Sequence, residues 1–395
     1  MFPAFSIARL PRIEFGSGKF KLLPGFASTF GKRALIVTGT SSFRMSPQWR
    51  HLLNELNQLD ISHIDIRVPG EPSPQFVDDT VRQLGDNTID VVIGIGGGSA
   101  LDAAKAIAGL LKSRHSVMDY LEGVGAELKY TGPSTPFIAV PTSAGTGSEA
   151  TKNAVLSIQG ANGFKKSFRD EQLVPEYAII DPDLLDSCTP EMIAANGMDA
   201  YTQLLESLVS SKANAFTDAL AMSGLEAASK GLPDWYLQQR NNPDAAAQMA
   251  YAALLSGITL AQVGLGSVHG LASPLGAFFP IPHGVVCGTL VAAATDININ
   301  ALLDRAAQHP ALQKYAEAGR LITGNHALED QPARLALVST LESWTQTMSL
   351  SRLADYGVTN ADIPRIVAHS RGSSMKTNPI ALTDDEVAEI IRRRL

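Results

Sequence analysis

The segment DVVIGIGGGSALDAAK, residues 90–105, decides the predicted fold. Its first half is a continuous apolar run rich in β-branched residues, which is typical of a strand buried on both faces. Three glycines follow, and the residues from Ser99 onwards have helical periodicity and strong helix formers. A buried strand that runs directly into a helix is the unit from which parallel sheets are built. The segment therefore predicts an α/β domain.

The residues on both sides of this segment repeat the alternation of strand and helix. Apolar or alternating runs at 34–39, 63–68 and 136–142 predict further strands. Ser-Pro pairs at 46–47 and 73–74 predict helix starts, because serine caps the first turn and proline is tolerated there. Strands that alternate with helices need crossover connections, so we predict a parallel sheet that is covered on both faces.

The chain changes character near residue 182. Thr189-Pro190 opens a predicted helix, and the residues from there to Leu395 show long helical patterns with no convincing strand. Thr383 and Glu386 have the spacing of a capping box before a final helix. We therefore predict an α/β domain over residues 1–182 and an all-α domain over residues 183–395.

Composition excludes several classes of function. The chain has 395 residues, of which 45% are hydrophobic and 18% charged, as in ordinary two-domain globular enzymes. A net charge of −7 argues against nucleic acid or an anionic membrane as a partner. Two cysteines, Cys188 and Cys287, without a CxxC pair, fit a reducing compartment. Because the sequence lacks a signal-peptide pattern and any long unbroken apolar run, we expect a cytoplasmic protein.

The glycine-rich turn is a candidate phosphate site. Gly96, Gly97 and Gly98 let a ligand approach the backbone, and the helix that starts at Ser99 offers free N–H groups and the positive end of its dipole. The same glycines are also compatible with a tight turn that holds no ligand. A second polar loop, PTSAGTGSEAT at 141–151, follows another strand and would lie at the same edge of the sheet. Together the two loops favour a nucleotide site.

Two histidines lie in the nearly uncharged stretch 264–288. Proline breaks the helical hydrogen-bond ladder, so we expect the prolines at 274, 280 and 282 to interrupt any single helix there. His269 is then predicted on one helix and His283 at the start of the next, facing each other across a turn. A single buried histidine is usually an ordinary core residue, whereas two of them suggest a shared role. The other six histidines are predicted to lie at the surface.

An acidic residue in an apolar stretch completes the candidate metal site. NGMDAYTQLLE, residues 196–206, places Asp199 and Gln203 on one helical face. Burying a carboxylate is costly unless a positive group meets it, and a cation would supply that charge. Two imidazole nitrogens with one carboxylate suit Zn²⁺ or Fe²⁺.

Motifs along almost the whole chain resemble those of the iron-containing, or group III, alcohol dehydrogenases. They are EFGSG, GGGSALDAAK, PTSAGTGSEAT, IIDPDLL, NGMDAYTQLLES, VHGLASPLGAFFPIPHG and TNP. The resemblance implies a Rossmann-like N-terminal domain and an all-helical C-terminal domain, an architecture similar to that of dehydroquinate synthase. It further implies that a dinucleotide and a metal ion bind between them. Hydride would pass between nicotinamide and a small alcohol or aldehyde, with the metal as a Lewis acid. A homodimer or larger homo-oligomer is also expected.

The resemblance implies four metal ligands, namely an aspartate, a histidine four residues later, and two histidines fourteen residues apart. Asp199, His269 and His283 match three of them, while Gln203 occupies the second position. A glutamine oxygen is a weaker ligand than imidazole, so Gln203 remains a candidate ligand and we favour a working three-residue site. A site that has lost its metal is the third possibility. Ser273 stands where many members carry a histidine, and its hydroxyl could relay a proton.

Cofactor residues also follow from the resemblance. Gly96, Gly97, Gly98, Ser99 and Asp102 match positions near the pyrophosphate, and Thr142, Ser143, Thr151, Asn153 and Lys165 match positions along the rest of the dinucleotide, with Lys166 as the alternative to Lys165. NAD-preferring members carry an aspartate at the end of the first strand, where this chain has Gly39, followed by Ser41, Ser42 and Arg44. Loss of that carboxylate favours a 2′-phosphate, so we predict NADP(H) over NAD(H). The alternative is that Gly39 only makes the turn.

Other functions remain open at this point. A lyase similar to dehydroquinate synthase would need many cations for its sugar phosphate, whereas residues 183–290 offer only Lys212, Lys230 and Arg240. A family member that binds dinucleotide but has lost its metal and its activity is suggested by Gln203 and Ser273. Chemistry similar to that of maleylacetate reductase is a further alternative. The apolar stretch that contains Leu271, Phe278 and Phe279 favours a small, fairly apolar alcohol or aldehyde instead.

Overall fold

The structure is a computed structural model that describes residues 4–85, 87–113 and 115–395. The chain forms two compact units. The first, here named the sheet unit, contains residues 8–158 and 165–188, and the second, the helical unit, contains residues 4–7, 159–164 and 189–395. The domain boundary at residue 182 stays a prediction.

The sheet unit is built on a parallel sheet, as the sequence predicted, and this sheet has six strands. Its strands are β1 (Arg12–Phe15), β2 (Arg33–Thr38), β3 (Ser62–Arg67), β4 (Val91–Gly96), β5 (Phe137–Pro141) and β8 (Tyr177–Ile180). They lie in the order β1-β8-β5-β4-β2-β3, and every neighbouring pair is parallel. The strand β4 is buried along its whole length, which explains its unbroken apolar sequence.

The sheet unit has four α-helices among the described residues, of which the second and third begin at serine caps that the sequence predicts. They are α1 (Leu23–Ser28), α2 (Pro47–Gln58), α3 (Pro74–Leu84) and α4 (Gly98–Leu110). The Ser46 hydroxyl accepts a hydrogen bond from the Trp49 N–H, and the Ser73 hydroxyl accepts one from the Phe76 N–H. These caps fix the first turns of α2 and α3.

Four strands, β1, β6, β7 and β8, are absent from the sequence prediction. The edge strand β1 has only four residues, RIEF, and its register with β8 pairs Arg12 with Tyr177. The strands β6 (Asn153–Ile158) and β7 (Phe164–Arg169) form a separate two-stranded sheet. β7 reads FKKSFR and buries only Phe168 fully, so no apolar periodicity identifies it. Backbone pairing, rather than a hydrophobic face, defines β1 and β7, whereas β6 buries Ala154 and Leu156 on one face.

The helical unit contains nine α-helices and, among the residues that the structure describes, no strand residue other than Phe164, the first of β7. The helices are α5 (Pro190–Val209), α6 (Ala215–Gln238), α7 (Pro243–Val263), α8 (Ser267–Phe278), α9 (His283–Arg305), α10 (Ala311–Thr323), α11 (Asp330–Thr347), α12 (Ile363–His369) and α13 (Asp384–Arg392). The Thr189 cap of α5 and the Thr383–Glu386 capping box of α13 are both present. One expectation is wrong: Pro274 lies inside α8 and does not end it. The break between α8 and α9 lies instead at Pro280 and Pro282.

Two helices, α7 and α9, are long and apolar enough to cross a membrane by length and composition alone. Their most apolar windows are 67% and 83% buried inside the protein, respectively. This burial is the pattern of core helices in a soluble protein, and it accounts for their composition without a lipid partner.

Candidate metal centre and dinucleotide site

Asp199, His269 and His283 meet in the helical unit. The Oδ1 atom of Asp199, on α5, lies 3.2 Å from Nε2 of His269 and 3.8 Å from Nε2 of His283. His269 lies on α8 and His283 is the first residue of α9, so the two histidines occupy consecutive helices as predicted, with ring centroids 5.5 Å apart. Asp199 and His269 are buried, whereas the His283 side chain is 27% exposed. Solvent therefore reaches one side of the cluster.

Small residues let α9 pack closely on α5 and so bring His283 to Asp199. A Cβ atom at Gly284 would lie 2.4 Å from the carbonyl oxygen of Ala195. One turn later, a Cβ atom at Gly288 would lie 2.8 Å from Cβ of Met198. Any larger residue at these two positions would push the helices apart and separate the histidine from the carboxylate.

Glu206 holds His269 from the opposite side. Its Oε2 atom lies 2.7 Å from Nδ1 of His269, and its Oε1 atom accepts a hydrogen bond from the Val268 N–H at 2.7 Å. An Nδ1–H that donates to this carboxylate leaves Nε2 to face Asp199, which is the arrangement found behind many metal-binding histidines. The sequence prediction did not include Glu206. Its spacing of seven residues from Asp199 on α5, which keeps both on one helical face, could have identified it.

Cys287 joins the same cluster, although the sequence prediction treated it only as a free cysteine. Its Sγ atom lies 3.5 Å from Nε2 of His269 and 3.8 Å from Nε2 of His283. One possible ligand atom from each of Asp199, His269, His283 and Cys287 lies within 4.8 Å of the other three. The thiol stands one helical turn after His283, a spacing that places both side chains on one face of α9.

Gln203 and Ser273 are two positions at which the chain departs from the family pattern, and their burial and contacts are as follows. The Gln203 side chain is buried, and its Oε1 atom accepts a hydrogen bond from the Ser256 hydroxyl at 2.9 Å. Ser273 is partly buried on α8. Metal ligation by Gln203 and proton transfer by Ser273 stay predictions.

The charges in the cluster shift each other's pKa. Burial by itself would raise the pKa of Asp199, but His283, His269 and the Cys287 thiol together lower it to about 2. Burial would likewise lower the pKa of His269, but Cys287, Asp199 and Glu206 raise it well above its usual value. Burial and the Asp199 charge raise the pKa of Cys287 to about 12. The carboxylate thus stays ionised in a buried place where a cation would be favoured.

The donor atoms of this cluster fit a divalent transition metal. Two imidazole nitrogens, a carboxylate oxygen and a sulfur converge from α5, α8 and α9. Imidazole suits zinc and iron, carboxylate oxygen binds either, and thiolate favours zinc. The hydrogen bond that the His269 Nδ1–H donates to Glu206 gives this ligand the support that histidines in such sites normally have.

Close packing shapes the glycine-rich turn in the sheet unit. Cβ atoms at Gly96 and Gly98 would lie 2.7 Å from Cβ of Ala100 and 2.8 Å from the side chain of Thr146. The Thr142 N–H donates to the Gly96 carbonyl at 3.0 Å. These contacts bring the loop after β5 against the start of α4, so Gly96, Gly97, Gly98, Ser99, Thr142 and Ser143 lie around one turn. No described side chain caps the first turn of α4, which leaves its N-terminus suited to a phosphate.

The buried Lys105 forms hydrogen bonds with several of the other residues around the predicted dinucleotide site. Nζ of Lys105 donates to the carbonyl oxygens of Ser148 and Asn153, at 2.7 Å each, and to the Thr151 hydroxyl at 3.0 Å. The Ser148 hydroxyl donates in turn to Asp102 at 2.5 Å. The Oδ1 atom of Asn153 is buried without a hydrogen-bond partner, which makes it a free acceptor. Lys105 lies in the predicted helix, but the sequence prediction gave it no role.

The end of β2 carries the residues that bear on cofactor choice. Gly39 follows the strand, and Ser41 and Ser42 are exposed. Arg44 donates from Nε to the Thr38 hydroxyl at 2.7 Å and forms an ion pair with Asp65 through Nη1 at 2.6 Å. Its Nη2 atom is buried and has no hydrogen-bond partner in the described structure. Elsewhere in the sheet unit, Lys165 pairs with Glu71 at 2.7 Å.

The apolar residues proposed for substrate lie in mixed surroundings. Leu271 is fully buried inside the helical unit and cannot line an open pocket. Phe278 is partly exposed, with the Arg365 guanidinium 3.7 Å from its ring centroid. The sequence predicts few charges near these residues, and this expectation does not hold at Phe278. The helix α12, which is far away in the sequence, places the Arg365 cation against the ring.

The two candidate sites suit a metal ion and a dinucleotide, and comparison with known proteins gives the family. Residues 11–182 match the family model for iron-containing alcohol dehydrogenase, and residues 193–395 match the model for the C-terminal part of that family. The chain belongs to the iron-containing alcohol dehydrogenase family.

Individual relatives agree with this assignment. The chain is 31% identical to alcohol dehydrogenase 4 of Saccharomyces cerevisiae over 368 residues, which cover 92% of this chain and 91% of the relative. It is 32% identical to lactaldehyde reductase of Escherichia coli over 307 residues, which cover 76% of each. The crystal structure of 1,3-propanediol oxidoreductase superimposes with a TM-score of 0.89 at 26% identity, covering 100% of both chains. The protein is thus an alcohol dehydrogenase, and its family implies metal and NAD(P) binding.

Proposed function

We propose that this alcohol dehydrogenase holds a divalent metal ion, Fe²⁺ or Zn²⁺, on Asp199, His269 and His283. The observation that carries the proposal is the approach of Asp199 Oδ1 to both imidazole Nε2 atoms, at 3.2 and 3.8 Å. A buried, ionised carboxylate between two imidazoles is a strong electrostatic site for a cation. In the same account Gln203 is an optional further ligand, with its amide oxygen already engaged by Ser256.

Each part of the site has its own task. When bound, the metal supplies Lewis acidity toward a substrate oxygen. Glu206 holds the His269 ring so that Nε2 points at Asp199. The turn at Gly96–Gly98 and the loop held by Lys105 bind and orient the dinucleotide, whose nicotinamide carries the hydride. Ser273 is proposed to relay a proton to or from the substrate oxygen.

NADP(H) is the proposed preferred cofactor. Gly39 places no carboxylate at the end of β2, and the exposed hydroxyls of Ser41 and Ser42 follow it. The unpartnered Nη2 of Arg44 would become a donor to a 2′-phosphate on turning outward, because the atom is buried in this structure. The ion pair between Arg44 and Asp65 opposes this choice, because the phosphate would compete with the Asp65 carboxylate.

The proposed substrate is a small alcohol or aldehyde. The lactaldehyde reductase and 1,3-propanediol oxidoreductase to which the chain is similar are named for small oxygenated substrates. The family match favours this chemistry over a lyase similar to dehydroquinate synthase. A cytoplasmic location and a homodimeric or larger assembly complete the proposal.

Metal reconstitution with a substrate panel tests the proposed function. The purified protein is stripped with a chelator and reloaded separately with Zn²⁺ and Fe²⁺. Oxidation of NADPH and NADH is then followed with small aldehydes, including lactaldehyde and propionaldehyde. We expect reduction that depends on the metal and is faster with NADPH. If no aldehyde were reduced and no metal were bound, the chain would be a dinucleotide-binding member that has lost its activity.

A further inference from the structure

We propose that the Cys287 thiolate is a fourth protein ligand, which takes the place left by Gln203 and makes this a zinc site. The inference rests on the proposed function and identifies the metal and its ligand set. The sulfur belongs to the cluster by position, since its possible ligand atom lies within 4.8 Å of those of Asp199, His269 and His283.

Distances between the ligand atoms support a tetrahedral set. With Zn–N bonds of about 2.1 Å and a Zn–S bond of about 2.3 Å, ideal tetrahedral geometry separates a nitrogen from a sulfur ligand by about 3.6 Å. Cys287 Sγ lies 3.5 and 3.8 Å from the Nε2 atoms of His269 and His283. The same geometry separates an oxygen from a nitrogen by about 3.4 Å. The observed values for Asp199 are 3.2 and 3.8 Å.

Gln203 is occupied elsewhere. Its Oε1 atom accepts the Ser256 hydroxyl at 2.9 Å, a hydrogen bond between α5 and α7. Turning the amide toward the cluster would break this buried hydrogen bond. Cys287 needs no such change, because its sulfur already lies beside both imidazoles.

Thiolate ligation decides between the two metals. A set of two imidazoles, one carboxylate and one thiolate is softer than a set with oxygen in the fourth place, and it favours Zn²⁺ over Fe²⁺. Binding breaks the S–H bond, and its proton passes to solvent while the sulfur keeps the electron pair that forms the metal bond. Zinc can expand to five ligands, so four protein ligands still admit a substrate oxygen.

Cobalt substitution tests the thiolate directly. Co²⁺ in the site gives visible absorption bands, and a cobalt–thiolate bond adds a charge-transfer band in the near ultraviolet. Three proteins are compared: the wild type, Cys287→Ser, and the control Cys188→Ser. The control changes the other buried cysteine, which lies in the sheet unit. We expect the charge-transfer band in the wild type and Cys188→Ser but not in Cys287→Ser, with visible bands in all three.

The outcomes separate the two proposals. Visible bands without a charge-transfer band in the wild type would overturn ligation by Cys287 and leave the proposed function intact. A charge-transfer band that persists in Cys287→Ser would also overturn it. Failure of the wild type to bind any metal would overturn the proposed function as well. In competition with a zinc chelator, we expect Cys287→Ser to bind zinc at least about tenfold more weakly than the wild type. Removing a residue that only supports a ligand already causes a loss of this size.

A measurement on the wild type alone covers the case in which Cys287→Ser does not fold. X-ray absorption at the zinc edge of the zinc-loaded protein should show one sulfur neighbour at about 2.3 Å. A shell made only of oxygen and nitrogen would overturn the inference.

Discussion

Glu206 Oε2 lies 2.7 Å from His269 Nδ1, on the side of the ring opposite to Asp199. The carboxylate is buried and also accepts the Val268 N–H, so it fixes both the ring and the backbone at the start of α8. The orientation of the His269 ring therefore depends on a residue outside the proposed set of metal ligands.

Replacement of Glu206 should weaken metal binding. In Glu206→Ala the His269 ring loses its anchor, and we expect metal affinity to fall by about 10–100-fold. Glu206→Gln retains an acceptor for Nδ1–H and should lose less. Chelator competition measures both effects. Glu226→Gln, which changes an exposed glutamate paired with Lys230, is the matched control and should bind metal like the wild type. Equal affinity in Glu206→Ala and the wild type would show that Glu206 does not position the ring.

Lys105 should be important for the stability of the sheet unit. Lys105→Met takes away the cation that faces the buried Asp102 and Glu149, and it removes the donor to Ser148 and Asn153. We expect the free energy of unfolding in urea to fall by about 3–5 kcal/mol. Lys152→Met breaks a more exposed ion pair with Glu171 and should cost no more than about 1 kcal/mol. Similar losses in the two variants would contradict the role assigned to Lys105.

The pH dependence of stability should contain a contribution from Glu149. Burial raises its pKa from 4.5 to about 7. Between these values the folded chain holds a proton that the unfolded chain has lost, so stability falls as pH rises through this window. The contribution is at most about 3 kcal/mol. Lys105 and Asp102 face the same site, and the pKa of Asp102 is also raised by burial, which adds a contribution of the same sign.

Glu149→Gln should therefore flatten the dependence without abolishing it. Urea denaturation at pH 5, 6 and 7 measures the slope. Glu171→Gln, which changes an exposed glutamate, should leave the slope as in the wild type. A Glu149→Gln slope equal to that of the wild type would mean that this carboxyl does not titrate in the window.

Gly39 should control the choice of dinucleotide. A Cβ atom there meets no heavy atom within 4 Å beyond its chain neighbours, so a side chain can be introduced without a clash. The carboxylate of Gly39→Asp would repel a 2′-phosphate, and we expect the ratio of kcat/KM for NADPH to that for NADH to fall by at least about tenfold. Gly39→Ala adds the Cβ without the charge and should change the ratio little. If Gly39→Asp left the ratio unchanged, the 2′ position would lie elsewhere.

The strongest sequence patterns predicted most of the sheet unit. The apolar run of β4, its glycines and the Ser46 and Ser73 caps each depend on neighbours in the sequence, so they can be recognised without the fold. β1 and β7 could not be predicted in this way, since their pairing partners, rather than a periodic apolar face, make them strands.

The candidate metal cluster was predicted in part for a similar reason. Asp199, His269 and His283 are unusual in apolar stretches, and this made them visible in the sequence. Cys287 and Glu206 look like ordinary members of amphipathic helices until α8 and α9 are packed on α5. Pro274 misled the prediction because α8 accommodates it without breaking. The sequence pattern does not show which helices, far apart in the sequence, pack against each other.

The metal content of Asp199→Asn tests the central claim most directly. The substitution keeps the shape of a buried side chain but removes the charge between His269 and His283. Metal per chain is measured by elemental analysis in the wild type and the variant, together with NADPH binding and aldehyde reduction. We expect the wild type to carry metal, and Asp199→Asn to lose both metal and aldehyde reduction while it still binds NADPH. A variant that kept its metal and reduced aldehydes at the wild-type rate would contradict the account.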